Sequence, residues 1–303
     1  MDDTLFKTIG PLIAVELGKY LKLSNWQEGW VIPFAVQKDW TTKYQLQGLT
    51  SLIKVILTAF QPPALQPISK FVVPVIGLEH ETGNLLLGIN LEFLGTSFGQ
   101  TIHSEQFLFT RAFHRNKTIT SFSLSTPTPC GHCRQFINEF AGGGDIEVSN
   151  SNIKMTIKEL LPLAFGPKDL GEPGIRPTTA SARNPRLRIT EPVSGPVQAL
   201  LSTALAAAQN SYAPYSKVPV GVAIQTLDDE MIPGSSIENA AFNPSMGGLQ
   251  SGLVNLIASG RMYSEIKAVL MIQAQGKADQ APQAEALLKA LAPNAPFVLI
   301  SAE

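Results

Sequence analysis

The chain has 303 residues, a formal net charge of −1, 44% apolar residues and 16% charged residues. That balance excludes a disordered chain, which combines low hydrophobicity with high net charge, and it lacks the basic footprint of a nucleic-acid binder. The length suits about two domains, and no run approaches the ~18 apolar residues of a membrane span.

The first stretch reads as helical. Leu5, Ile9, Leu12 and Ile13 fall at helical spacing, as do Leu49, Leu52, Ile53 and Ile56. Residues 1–60 are therefore expected to form a small N-terminal helical domain. From Phe71 the period changes. Phe71 to Leu78 reads as a buried strand, Gly83-Asn84 as a hairpin turn and Leu85 to Ile89 as the return strand. Ser104–Phe113 reads as a helix, Ile119–Leu124 as a strand and Cys130–Phe140 as a second helix. This alternation predicts a layered α/β domain over 61–170.

Residues 171–196 are rich in proline and glycine and read as a linker. A second regular region, 197–303, comes next. It has helices near Val197–Asn210, Leu249–Ser259 and Gln283–Leu291. Its strands lie near Lys217–Ile224, Met231–Ser236, Ile266–Ile272 and Phe297–Ser301. The two regions echo each other. Pro67-Ile68-Ser69-Lys70 returns as Pro214-Tyr215-Ser216-Lys217, and Asn90-Leu91-Glu92 as Ser236-Ile237-Glu238, at a period of about 147 residues. Such a period means a duplicated domain.

The chemistry concentrates in the first copy. His103-Ser104-Glu105 is followed by Pro129-Cys130-Gly131-His132-Cys133, an H-x-E and P-C-x-x-C pair with the pattern of zinc-dependent nucleobase deaminases. One imidazole and two thiolates make three ligands, and tetrahedral zinc then keeps a fourth position for water. Cys130 and Cys133, one turn apart at a helix start, both reach a metal, and the positive helix end favours thiolates. Glu105 sits near enough to move a proton without being a ligand. The rival readings are a closed zinc site with His132 as fourth ligand, or a redox dithiol, which leaves His103 and Glu105 without a role. Two cysteines are too few for the disulfide framework of a secreted domain, and the acidic start MDDTLFKTIG is unlike a secretory leader. A cytoplasmic setting is expected.

From about residue 48 to its end the chain resembles the cytidine deaminases in their long, two-copy form. The resemblance rests on Pro67-x-Ser69-x-Phe71, Asn90-x-Glu92-Phe93, His103-x-Glu105-Gln106, Pro129 to Phe136 and Phe165 to Leu170. In the second copy it rests on Ala213 to Ser216 and Glu238 to Pro244. It implies a duplicated α-β-α sandwich and hydrolytic deamination of cytidine and deoxycytidine, with one Zn2+ per chain on His103, Cys130 and Cys133 and Glu105 as the proton carrier. It also implies that Asn90 and Glu92 hold the ribose 3′-hydroxyl and that Phe71 packs on the pyrimidine. The Ser104 N–H and the Thr128 carbonyl would read the base edge, and Phe165 would close the partner chain's pocket in a homodimer. Two departures stand out: Ser104 where the family has Ala, and Pro74 where the second copy keeps Gly221. Aligning Glu92 with Glu238 sets Leu249 opposite His103 and Ser251 opposite Glu105, and no cysteine comes after Cys133. The second copy is expected to be catalytically dead, with Ala240, Ala241 and Phe242 completing the partner's pocket. Two alternatives to a nucleoside deaminase remain: a deaminase acting on a base within nucleic acid, and a non-catalytic zinc-stabilised binding protein.

Overall fold

The computed structural model describes residues 3–60, 62–126, 128–140, 145–150, 152–178, 183–184, 186–189 and 197–303. The N-terminal segment supplies α1 (Asp3–Leu21), β1 (Val31–Ile32), α2 (Phe34–Lys43) and α3 (Leu49–Ala59). Glu16 on α1 ties the first two helices together. Its carboxylate accepts from Trp40 Nε1, Lys43 Nζ and Tyr44 Oη, each at 2.6 Å. The segment is not a separate body. β1 pairs with β3 (Leu85–Gly88) of the first copy, and Trp30 stacks on Phe107 with ring centroids 5.3 Å apart.

Besides β3, the first copy contains β2 (Val75–Glu79), α4 (Ser104–His114), β4 (Ile119–Leu124), α5 (Gly131–Asn138), β5 (Glu147–Ser149), β6 (Lys154–Thr156) and α6 (Ile157–Leu160). Its sheet runs β1-β3-β2-β4-β5-β6, with β4 and β5 parallel. The second copy contains α7 (Leu201–Asn210), β7 (Val220–Thr226), β8 (Met231–Ser235), α8 (Gly248–Ala258), β9 (Ile266–Ala274), α9 (Ala281–Leu291) and β10 (Phe297–Ala302). Its sheet runs β10-β9-β7-β8, with β9 and β10 parallel. The fold is the expected duplicated α/β arrangement.

Glycines set the layer spacing. A Cβ on Gly221 would lie 2.0 Å from the Ala208 nitrogen of α7. A Cβ on Gly234 would lie 2.3 Å from backbone atoms of α8. Gly234 pairs with Val222, the residue after Gly221, so the two glycines face opposite sides of the sheet. Helices therefore press on both faces of the second sheet. In the first copy Gly77 and Gly88 make the same room for α4, against Leu108 and Phe107.

Several boundaries differ from the sequence reading. The strand expected from Phe71 begins at Val75, because Asn90 diverts the backbone before it. Asn90 Oδ1 accepts from the Val73 N–H and its Nδ2 donates to the Phe71 carbonyl, both at 2.9 Å. Pro74 is buried just ahead of β2, so its missing N–H removes nothing from the ladder. The turn at Gly83 is present, with φ +69°. The short strands β5 and β6 have too few residues to show a period, and the sequence did not reveal them. Within the 171–196 linker, residues 179–182, 185 and 190–196 lie outside the described residues. Arg188 exchanges two backbone hydrogen bonds with Glu303, each 2.9 Å, which lays that part of the linker along the second copy.

The alignment of the two copies is also corrected. His103 caps α4 and Gly247 caps α8, and each cap's N–H donates to a glutamine three residues on, Gln106 at 3.1 Å and Gln250 at 3.0 Å. Gly247, not Leu249, is therefore the counterpart of His103, and Leu249, not Ser251, is the counterpart of Glu105. The slip arises in the loop before the helix. The bridge Leu91–Ile102 in the first copy becomes Ile237–Met246 in the second, two residues shorter.

Candidate active site

His103 and Cys130 occupy the caps of α4 and α5, and Cys133 lies one turn inside α5. The inward residues of α5, Phe136 and Ile137, are buried in the core and fix its start against α4. His103 Nδ1 lies 3.4 Å from Cys130 Sγ and 3.3 Å from Cys133 Sγ, and the two sulfurs are 3.6 Å apart. Tetrahedral ligands held about 2.0–2.3 Å from zinc sit roughly 3.5–3.8 Å from one another, so this donor set fits the metal. His132, the rival fourth ligand, turns aside. Its Nε2 meets Gln106 Nε2 at 3.2 Å, and its ring centre is 6.0 Å from that of His103. A closed four-ligand site with His132 is not what the chain builds.

The electrostatics suit thiolate ligands. The Cys133 S–H holds the Cys130 thiol down to about 3, with further help from His103. The same hydrogen bond, joined by burial, pushes Cys133 well up. The pair thus shares one proton until a cation displaces it. Glu105 is buried, and burial raises its carboxyl above the ordinary range. Ser104 Oγ donates to Glu105 Oε2 at 3.0 Å, which is what the extra hydroxyl at this position does.

The other expected site residues are spread around this centre. Phe71 is 60% exposed, open to a ligand and outside the core. Glu92 Oε2 accepts the N–H groups of Ile68 and Ser69, both at 2.9 Å, so Glu92 and Asn90 together shape the 68–73 loop. Thr128 Oγ1 accepts from Arg134 Nη2 at 3.3 Å. Phe165 lies half-exposed beside α5, its carbonyl accepting from Gln135 at 2.9 Å and Asn138 at 3.1 Å. The side-chain hydrogen bonds of Asn90, Glu92 and Thr128 all run to other residues than the His–Cys–Cys group.

Sequence reasoning missed the residues that hold the site in place. Arg134 donates to the carbonyls of Pro129 at 2.8 Å and Leu160 at 2.7 Å, fixing the loop that carries Thr128. Gln106 links the His103 cap to the Pro244 carbonyl of the second copy at 3.4 Å. Glu139, buried at the end of α5, accepts from Tyr212 Oη at 2.7 Å, from the Ala240 N–H at 3.0 Å and from Tyr215 Oη. Gln106 and Arg134 lie inside the motifs that carry the family resemblance, and Glu139 lies outside them.

Among known families, the cytidine and deoxycytidylate deaminase zinc-binding region matches twice, over residues 51–145 and 157–285. The cytidine deaminase of Pasteurella multocida is 36% identical over 80% of this chain and 80% of its own. That of Proteus mirabilis is 33% identical over 89% and 88%, and cytidine deaminase 1 of Arabidopsis thaliana is 35% identical over 83% and 89%. Among solved structures, the cytidine deaminase of Mycobacterium tuberculosis aligns with 34% of this chain and 86% of its own at 29% identity, with a TM-score of 0.31. A duplicated α/β scaffold with one His–Cys–Cys zinc group defines the class, a zinc-binding hydrolase. The chain belongs to the cytidine deaminase family, in the form with two deaminase regions.

Proposed function

We propose that the chain hydrolyses free cytidine and deoxycytidine to uridine and deoxyuridine with release of ammonia, and that Glu105 is its proton carrier. The observation that carries this reading is the buried Glu105 carboxyl, two residues from one ligand of a group fit for zinc. His103, Cys130 and Cys133 would hold the ion, which when bound supplies the Lewis acidity that brings water's pKa toward neutrality. Glu105 takes the proton of the attacking water on a carboxylate oxygen and hands it to N3 of the pyrimidine. It then carries the second proton to the leaving 4-amino nitrogen, so one water enters and one ammonia leaves. The Ser104 hydroxyl holds Oε2 of that carboxylate in place. Asn90 Nδ2 keeps one N–H, and the Glu92 oxygens keep lone pairs, for the ribose 3′-hydroxyl. Phe71 offers its exposed ring to the base, with the Ser104 N–H and the Thr128 carbonyl at the base edge.

The working unit is read as a homodimer in a reducing, cytoplasmic setting. Ile68, Phe71, Leu163 and Phe165 are exposed apolar side chains that a second copy would cover, with Phe165 read as reaching the partner's pocket. No described helix is long and apolar enough to cross a membrane. We divide the chain into an N-terminal helical segment (1–60), the catalytic copy (61–170), a linker (171–196) and the non-catalytic copy (197–303). Base deamination inside a nucleic acid is disfavoured by the near-zero net charge. The test is metal content measured together with uridine formation from cytidine. One zinc per chain and turnover lost in Glu105→Ala with zinc retained support the reading. Full turnover in that variant removes Glu105 from it.

A further inference from the structure

The two copies hold the same short segment in two different ways. In the second, Tyr212 and Ile237 form a parallel bridge. The Tyr212 N–H donates to the Ser236 carbonyl and the Glu238 N–H to the Tyr212 carbonyl, both at 2.9 Å. In the first, Leu65 stands for Tyr212, and Asn90-Leu91-Glu92 stands for Ser236-Ile237-Glu238. Half of the bridge is kept, since the Glu92 N–H donates to the Leu65 carbonyl at 2.9 Å. The other half is gone. The Leu65 N–H turns back to the Pro63 carbonyl at 2.9 Å, and the Asn90 carbonyl accepts instead from Gln66 Nε2 at 2.6 Å. A side-chain amide has replaced a backbone donor.

The exchange accompanies a change beside it. In the second copy the Ser236 N–H donates directly to the Val220 carbonyl at 3.0 Å. In the first, the Asn90 side chain stands between the corresponding segments, on the Val73 N–H and the Phe71 carbonyl. An asparagine side chain set between two backbones holds them farther apart than a direct N–H to carbonyl bond. The long Gln66 amide then supplies the donor that the carbonyl of residue 90 needs. Its counterpart, Ala213, has no such group.

Packing does not account for Gln66. The side chain is buried, and its Oε1 has no hydrogen-bond partner among the described residues. A buried acceptor left unpaired costs stability, and the alanine of the second copy avoids that cost. What Gln66 holds is the main chain of Asn90. Leu91, between Asn90 and Glu92, exchanges two backbone hydrogen bonds with Ile102, at 2.8 and 3.0 Å, and Ile102 precedes the metal ligand His103. Residues 90–92 are thus clamped between Ile102 and the 65–66 segment. Of these bonds, the Gln66 contact alone is made by a side chain, so it can be removed while the backbone ties to the metal-bearing segment stay in place.

We propose that Gln66 is a positioning residue for the sugar end of the substrate: by fixing the Asn90 main chain it aims the Asn90 amide, and so sets the preference for nucleosides that carry a 3′-hydroxyl. This rests on the reading of Asn90 and Glu92 as the pair that holds that hydroxyl. The test is steady-state deamination of cytidine, deoxycytidine and 3′-deoxycytidine by the intact zinc-loaded protein. The wild type should prefer the two substrates that have the hydroxyl. Gln66→Leu removes the donor and the orphaned oxygen together. It should raise KM for cytidine and deoxycytidine roughly fivefold, the worth of one ordinary hydrogen bond, with kcat and zinc content unchanged. Its kcat/KM for 3′-deoxycytidine should stay at the wild-type value, so the preference falls by the same factor. Gln66→Met makes the same comparison should the leucine variant fold poorly. Equal losses on all three substrates, or an undiminished preference, overturns this proposal alone. A wild type that deaminates cytidine but shows no preference overturns the sugar reading, and one that deaminates neither overturns the activity reading; this proposal goes with either.

Discussion

Arg111 on α4 donates to Asn255 on α8 at 3.0 Å, and the two residues hold equivalent positions in the two copies. Their helices pack face to face around a local twofold axis. The same symmetry appears where Gln106 reaches the Pro244 carbonyl and Gln250 reaches the Gln100 carbonyl. Arg111 is fully buried, and burial holds its guanidinium down to about 9. Asn255 and the Gly29 carbonyl, 2.9 Å from Nη2, receive its charge-bearing donors.

Removing one member of this pair should cost more than removing both. Asn255→Leu leaves a buried cation short of an acceptor and is expected to cost about 3 kcal/mol. Arg111→Met combined with Asn255→Leu should recover at least half of that loss. Urea denaturation of the two single variants and the double variant gives the coupling, and simple additivity would contradict the account.

Glu139 joins the end of α5 to the second copy through Tyr212, Tyr215 and the Ala240 N–H. Glu139→Ala orphans three donors and is expected to destabilise by about 2–4 kcal/mol. Glu139→Gln keeps one acceptor oxygen and should lose less. Thermal melts of the two variants rank them, and equal losses would mean that the contact is packing rather than hydrogen bonding.

Stripping the metal should separate chemistry from fold. After treatment with a chelator, uridine formation is expected to vanish and to return on adding zinc. The far-UV circular dichroism should hardly change, since Phe107, Leu108, Phe136 and Ile137 anchor α4 and α5 in the core without the ion. In the stripped protein an alkylating reagent should react first at Cys130, which is exposed and held as thiolate, and slowly at buried Cys133. Zinc should protect both. Faster labelling at Cys133 would reverse the assigned proton.

The Glu16 clamp predicts a pH dependence. Lys43, then Tyr44, hold its carboxyl at about 2 against an ordinary 4.5. A carboxyl with a lowered folded pKa contributes stability above the unfolded value and loses it as pH falls through the folded one. The advantage of the wild type over Glu16→Gln should therefore be full above pH 4.5 and fade toward pH 2. The clamp is part-exposed, so a gap below about 1 kcal/mol is expected. Urea midpoints taken across that range check it, and a constant gap would contradict it.

The metal ligands were legible because the sequence pairs them locally. H-x-E and P-C-x-x-C each fit within one helix start, where cap geometry and spacing alone aim the side chains. The duplication was legible for a similar reason, since short polar turns recur in order. Three-residue strands such as β5 and β6 have no readable period, and β5 is placed by its pairing with β4, on the far side of α5 in the chain.

By itself the sequence determined which atoms can hold a zinc ion, which carboxyl stands beside them, and that a second copy lacks both. Only the tertiary structure decided that His103 meets the cysteines across 27 residues, a closure made by α4 and α5 packing side by side. It also decided that Gly247 rather than Leu249 replaces the histidine, because backbone caps and bridges fix register where residue counting through a loop does not. The buried Arg111–Asn255 contact belongs to the same class. Neither residue has a local pattern, and the pairing exists because two copies of one fold face each other about an axis that no single stretch of chain contains.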